Sequence, residues 1–84
     1  MPFWVYVLGS VKDGKTYTGS TGDLGRRLRE HHEGEVAATC RRRPLRLLYA
    51  EEFPTRAEAV RRERYFKTPE GGLEKHRLVR RSAG

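Results

Sequence analysis

The stretch that decides the fold is Phe3-Trp4-Val5-Tyr6-Val7-Leu8, followed past Asp13-Gly14 by Lys15-Thr16-Tyr17-Thr18-Gly19. The first run is rich in aromatic and β-branched residues, which suit a buried, pleated strand. Asp13-Gly14 is a strong hairpin signal, since a tight turn needs residues that accept positive φ. The second run is then an antiparallel partner, and Tyr6 and Tyr17 fall on neighbouring strands.

Working outward, Ser20-Thr21-Gly22-Asp23 is expected to break the second strand and supply an N-cap, either Asp23 or Thr21. A helix is predicted from about Leu24 to Glu33, with Gly34 as its left-handed stop. Gly34 to Pro44 reads as a loop carrying the basic run Arg41-Arg42-Arg43, and Leu45 to Phe53 as a third strand. Thr55-Arg56-Ala57-Glu58 is a capping box, the clearest helix start in the chain, and that helix should reach about Lys67. Pro69-Glu70-Gly71-Gly72 is expected to interrupt it, leaving a short final helix over Leu73 to Arg80 and a frayed tail over Arg81 to Gly84. Strand, strand, helix, strand, helix, helix is an α+β arrangement.

Eighty-four residues make one domain, spanning 1–84, with 36% hydrophobic residues and therefore a small core. Eighteen Lys and Arg against eleven Asp and Glu give a net charge of +7, which points to a polyanionic partner, most simply nucleic acid. A single cysteine, Cys40, excludes an internal disulfide and fits the cytoplasm. No apolar run approaches the roughly 20 residues of a spanning helix, so no membrane partner is expected. The apolar N-terminus lacks a basic leader and a small-residue cleavage site, and reads as the strand that starts the fold.

Polar residues on faces that should be apolar carry the chemistry. Leu24 and Leu28 define the stripe of the first helix, and Arg27 and His31 fall on that stripe, four residues apart. Taken singly, Arg27 could snorkel to the rim and His31 could be a helix-end histidine favoured by the dipole. Together they favour a shared target. On the second long helix, Ala59, Val60 and Phe66 set the apolar face and Glu63 lies among them. A carboxylate facing a core is costly unless it is paired or binds a cation. An ion pair with Lys67, one turn on, is the plain alternative to a metal. Mg²⁺, held by one carboxylate with water and substrate phosphate, is the expected ion. A phenol with a free pKa near ~10 is a poor base at neutral pH. Arg27 or a metal-bound water nearby would favour the phenolate or shorten the proton's path, letting Tyr6 take the proton of an attacking water while Tyr17 orients it or contacts the phosphate. The three histidines and Cys40 lack the spacing of a zinc site. In so basic a chain Arg41, Arg42 and Arg43 read as phosphate contacts without sequence preference.

These residues resemble the GIY-YIG nuclease superfamily, in particular its small stand-alone members, similar to the N-terminal nuclease domain of the UvrC repair endonuclease. The first motif stands as Val5-Tyr6-Val7 and the second as Tyr17-Thr18-Gly19. Asp23-Leu24-Gly25-Arg26-Arg27-Leu28-Arg29-Glu30-His31 and Arg61-Arg62-Glu63-Arg64-Tyr65-Phe66-Lys67 follow. The first motif lacks its leading glycine and has Val5 for isoleucine; Thr18 replaces another isoleucine, and Ser20 stands where some relatives carry lysine. The resemblance implies a three-stranded antiparallel sheet flanked by two to three helices. It implies Tyr6 as general base, Tyr17 as its support, Arg27 on the scissile phosphate, His31 at the rim of the site and Glu63 on a divalent metal, Mg²⁺ or Mn²⁺. With Arg26, Arg41, Arg42, Arg43 and Lys67 as nucleic-acid contacts, the expected activity is hydrolysis of DNA phosphodiester bonds in repair or recombination. Recognition would follow the structure of the DNA (branched, damaged or single-stranded) rather than its sequence. The alternatives are a non-catalytic nucleic-acid-binding module and a subunit of a larger repair complex.

Overall fold

The aromatic run at the N-terminus becomes the middle strand of the sheet. A computed structural model describes residues 1–83, and in it β1 (Phe3–Ser10) lies between β2 (Thr16–Thr21) and β3 (Leu45–Phe53), antiparallel to both. The hairpin turns where the sequence places it: Gly14 has φ +71°, and its N–H donates to the Ser10 carbonyl at 2.8 Å. Tyr6 stands opposite Gly19 on one side and Ala50 on the other.

Side chains alternate across a strand, so β1 feeds two half-cores. Val5 and Val7 pack with Ala59 and Phe66 under α2 (Arg56–Phe66) and α3 (Pro69–Ala83). Tyr6 and Leu8 pack with Leu45, Tyr17, Leu24 and Leu28 under α1 (Leu24–His32). Asp23 is the N-cap of α1, its carboxylate accepting from Arg26 N at 3.0 Å. Gly34 ends that helix at φ +80°. Thr55 caps α2, accepting from Glu58 N at 3.2 Å. Arg62 ties the outer half-core together, donating to Glu51 of β3 and Glu74 of α3 at 2.8 Å each, with its guanidinium 4.5 Å above the Phe66 ring.

Two boundaries differ from the expectation. Ser20 and Thr21 continue β2 rather than breaking it, because Val5 and Trp4 of the longer β1 are there to pair with them. Pro69 to Gly72 begins α3 rather than interrupting α2, and the helix runs on to Ala83 through the segment expected to fray; Gly84 lies outside the described residues. The Thr68 hydroxyl accepts from Gly71 N at 3.0 Å, and Pro69 occupies the first helical position, where its missing N–H costs nothing. Gly71 is buried, and a Cβ there would run into the backbone carbonyl of Tyr65. The glycine is what lets α3 start against the end of α2.

Gly71→Ala should therefore destabilise the protein by about 1–3 kcal/mol, the usual cost of overpacking. At Gly72 an added Cβ would come no closer than 3.9 Å to the Phe66 carbonyl, so Gly72→Ala should be neutral or stabilising by up to about 1 kcal/mol through helix propensity. Urea unfolding of the two variants checks the contrast, and equal effects would refute the packing account.

Candidate active site

Tyr6 is 1% exposed, yet its hydroxyl sits under α1 where no apolar residue can satisfy it. A buried hydroxyl needs a partner. It finds His31 Nε2 at 2.9 Å, and His31 Nδ1 in turn meets Thr39 Oγ1 at 2.7 Å. His31 and Thr39 are both fully buried. The result is a closed polar chain from the middle strand, through the last turn of α1, to the loop after it. The Tyr6 ring lies over β2 because residue 19 is glycine: a Cβ there would fall 2.6 Å from the Tyr6 hydroxyl. Tyr17 completes an aromatic cluster, with its ring 6.4 Å from Tyr6 and 5.2 Å from His31.

Arg27 is half-buried beside this cluster and donates to Glu30 at 2.9 Å. The Glu30 hydrogen bond and the Tyr6 phenol hold the guanidinium firmly protonated. Burial pushes the Tyr6 pKa up, and although Arg27 pulls the other way, burial wins. Arg27 thus favours the phenolate as expected, but burial outweighs it and Tyr6 is a phenol at neutral pH. His31 departs from expectation: it lies beneath the site rather than at its rim. Burial first, and then the charge of Arg27, lower its pKa and keep the imidazole neutral.

Glu63 approaches from the other side of β2. The Ser20 hydroxyl donates to its Oε1 at 2.6 Å and Lys67 Nζ to its Oε2 at 2.8 Å. Burial would raise its pKa, but these two donors outweigh burial and keep the carboxylate ionised. Its charge reaches Tyr6, raising that phenol's pKa further. Among the described residues no three His, Cys, Asp or Glu side chains converge as a metal cage. A single ionised carboxylate with a cation already against it still fits a hard divalent ion that takes its other ligands from water and phosphate.

The remaining predicted contacts scatter. Arg26 is exposed, 3.8 Å from Glu30. Arg42 donates to Asp13 at 3.3 Å, and Arg43 donates to the carbonyls of Cys40 and His32, so both pin the loop after α1. Arg41 is exposed, with its guanidinium free of protein partners among the described residues. Thr39, Gly19 and Ser20 are absent from the sequence-derived site set. Gly19 carried a signal in its place behind Tyr17, whereas nothing local to Thr39 marks it as the partner of a histidine eight residues away.

A histidine kept neutral by burial makes stability depend on pH with a definite sign. Its folded-state pKa lies below the unfolded value of about 6.5. The unfolded chain therefore binds the extra proton, and stability is full above pH ~6.5 and falls as pH drops from there towards the folded-state value. His31→Gln should shrink that fall in denaturant titrations between about pH 7 and 5. Thr39→Val, which leaves His31 Nδ1 without its partner, should cost about 1–3 kcal/mol at neutral pH.

Comparison with known proteins places the chain in a family. The profile of the GIY-YIG catalytic domain matches residues 2–75. A UPF0213 protein of Streptococcus agalactiae is 46% identical over 68 residues, 80% of this chain and 76% of its own. One from Staphylococcus saprophyticus is 39% identical over 66 residues, 77% of this chain and 79% of its own. The solution NMR structure of the UPF0213 protein of Bacillus halodurans superposes with a TM-score of 0.55 at 38% identity, covering 94% of this chain and 83% of that one. The chain belongs to the GIY-YIG catalytic domain family, a family of nucleases.

Proposed function

We propose that the protein is a divalent-metal-dependent endonuclease that hydrolyses DNA phosphodiester bonds, reading the structure of the DNA rather than its sequence, in repair or recombination. The observation that carries this reading is the Tyr6–His31 hydrogen bond with Arg27 beside it: a proton donor, a neutral acceptor and a fixed cation at one spot. Tyr6 is protonated at rest, and His31 is uncharged and bonded to it through Nε2, so the phenol proton has somewhere to go. In the tautomer where Thr39 accepts from Nδ1–H, Nε2 accepts from the Tyr6 hydroxyl. Tyr6 can then take a proton from an attacking water as its own passes to His31. Arg27, permanently charged, is suited to bind the scissile phosphate and to offset the charge that builds on it. Tyr17 packs against both partners and holds the phenol in place. A divalent ion would sit on Glu63, where it would supply Lewis-acid polarisation of a phosphoryl oxygen.

A nucleic-acid substrate is favoured by the net charge of +7 and by the exposed arginines Arg26 and Arg41. No helix among the described residues is long and apolar enough to cross a membrane, and a cytoplasmic setting suits a DNA-directed enzyme with a free Cys40. A second reading, binding without cleavage, is favoured by one contact: Lys67 already neutralises Glu63 at 2.8 Å. Under that reading the carboxylate never exchanges its ammonium for a metal.

Nicking of supercoiled plasmid separates the two. With Mg²⁺ or Mn²⁺ the wild-type protein should nick, and removal of the metal by EDTA should abolish it. Tyr6→Phe and Glu63→Ala should each lower the rate about 100-fold or more, the scale of losing a general base or an electrostatic stabiliser. Gly19→Ala, which pushes on the Tyr6 hydroxyl, should lower it while leaving DNA affinity intact. Nicking that survives both Tyr6→Phe and Glu63→Ala refutes the assignment of the site, and salt-sensitive binding without nicking under any metal selects the second reading.

A further inference from the structure

A notch of about 430 Å³ opens between β2 and the junction of α2 with α3, lined by Thr16, Tyr17, Thr18, Phe66, Lys67 and Lys75. It adjoins the site through Tyr17, which lines the notch from the β2 edge and packs its ring against Tyr6 and His31. Lys75 is half-buried there, with Nζ donating to Thr16 Oγ1 at 3.0 Å. Among the described residues no carboxylate pairs with it, while Lys67, the other cation of the notch, is shared with Glu63. Burial, and then the charge of Lys67, weaken the hold of Lys75 on its proton. A partly dehydrated ammonium facing a second ammonium is an expensive arrangement unless an anion joins it.

The donor inventory fits an anion. Lys75 spends one N–H on Thr16 and keeps two, and because the Thr16 hydroxyl accepts from the ammonium, its own proton is free to donate outward. We propose that the notch holds a backbone phosphate of the bound nucleic acid, next along the strand from the one gripped by Arg27, with Lys75 as its ionic contact and the Thr16 hydroxyl as a second donor. The strand would then cross the β2 edge, with Tyr17 between the two phosphates. This subsite rests on the nucleic-acid reading above and adds to it a direction for the strand.

The test is fluorescence anisotropy of labelled single-stranded DNA in EDTA, titrated over a range of KCl. For wild type the logarithm of affinity should fall linearly with the logarithm of salt. Lys75→Gln should reduce that slope by about 0.7, the value of one neutralised phosphate on a single strand, and weaken binding at low salt roughly fivefold. Lys75→Arg should keep the wild-type slope. Arg77→Gln removes the same charge from α3 on its opposite side, about 200° round the helix, and should leave the slope within half that change. Lys75→Met, checked by circular dichroism alongside the others, should repeat the glutamine result. A wild-type protein without salt-dependent binding overturns the nucleic-acid reading and the subsite with it. Wild-type binding with an unchanged slope in both Lys75→Gln and Lys75→Met, or an equal loss in Arg77→Gln, overturns the subsite alone.

Discussion

A phenol at the centre of the middle strand, only 1% exposed, has to be hydrogen-bonded within the protein, and one whole side of the protein is arranged around that need. Tyr6 is flanked by strands on both edges and covered by α1, so its partner had to come from a helix. His31 meets the need, but a buried imidazole has a second nitrogen to satisfy, and Thr39 of the following loop supplies the answer. Each polar group thus recruits the next, and no buried side-chain nitrogen or oxygen among the described residues is left without a partner. Such a chain is worth keeping only when complete, because a half-satisfied buried network is more costly than an apolar one.

The same strand explains why the candidate residues fall on both faces of the sheet. Alternation sends Tyr6 to the α1 side and Val5 to the α2 side, and their partners on β2, Gly19 and Ser20, follow suit. Tyr6, Tyr17, His31 and Arg27 therefore belong to one side, and Glu63, held by Ser20, to the other. Only β2, the edge strand, and the bare backbone of Gly19 lie between them.

Much of the fold was legible because its signals are local. Asp13-Gly14, the Thr55 capping box and the Leu24–Leu28 stripe each act within a few residues, and each governs the element it announces. The stripe also announced Arg27 and His31 as inward-facing. Where the sequence misled, a distant partner decided. Pro69-Glu70-Gly71-Gly72 looks like a breaker until the end of α2 is seen to press against Gly71. Ser20-Thr21 looks like a stop until β1 proves long enough to pair with it. Nothing in the sequence shows that Asp13 and two carbonyl groups engage Arg42 and Arg43. The state of Tyr6 was also beyond the sequence, since the contest between burial and Arg27 is settled only by how deeply the ring lies.

The loop over His31 is fastened at more than one point to the hairpin it does not adjoin in sequence. Ser10 Oγ donates to the Arg42 carbonyl at 2.7 Å, Val11 N to that of Pro44 at 2.9 Å, and Arg42 to Asp13. Lifting the loop from the imidazole would require these tethers to part, which joins the β1–β2 turn and the 34–44 loop into a single unit of local opening. In amide exchange the two segments would lose protection together, and the hairpin tip, far from any chemistry, would share in controlling how often the buried histidine meets solvent.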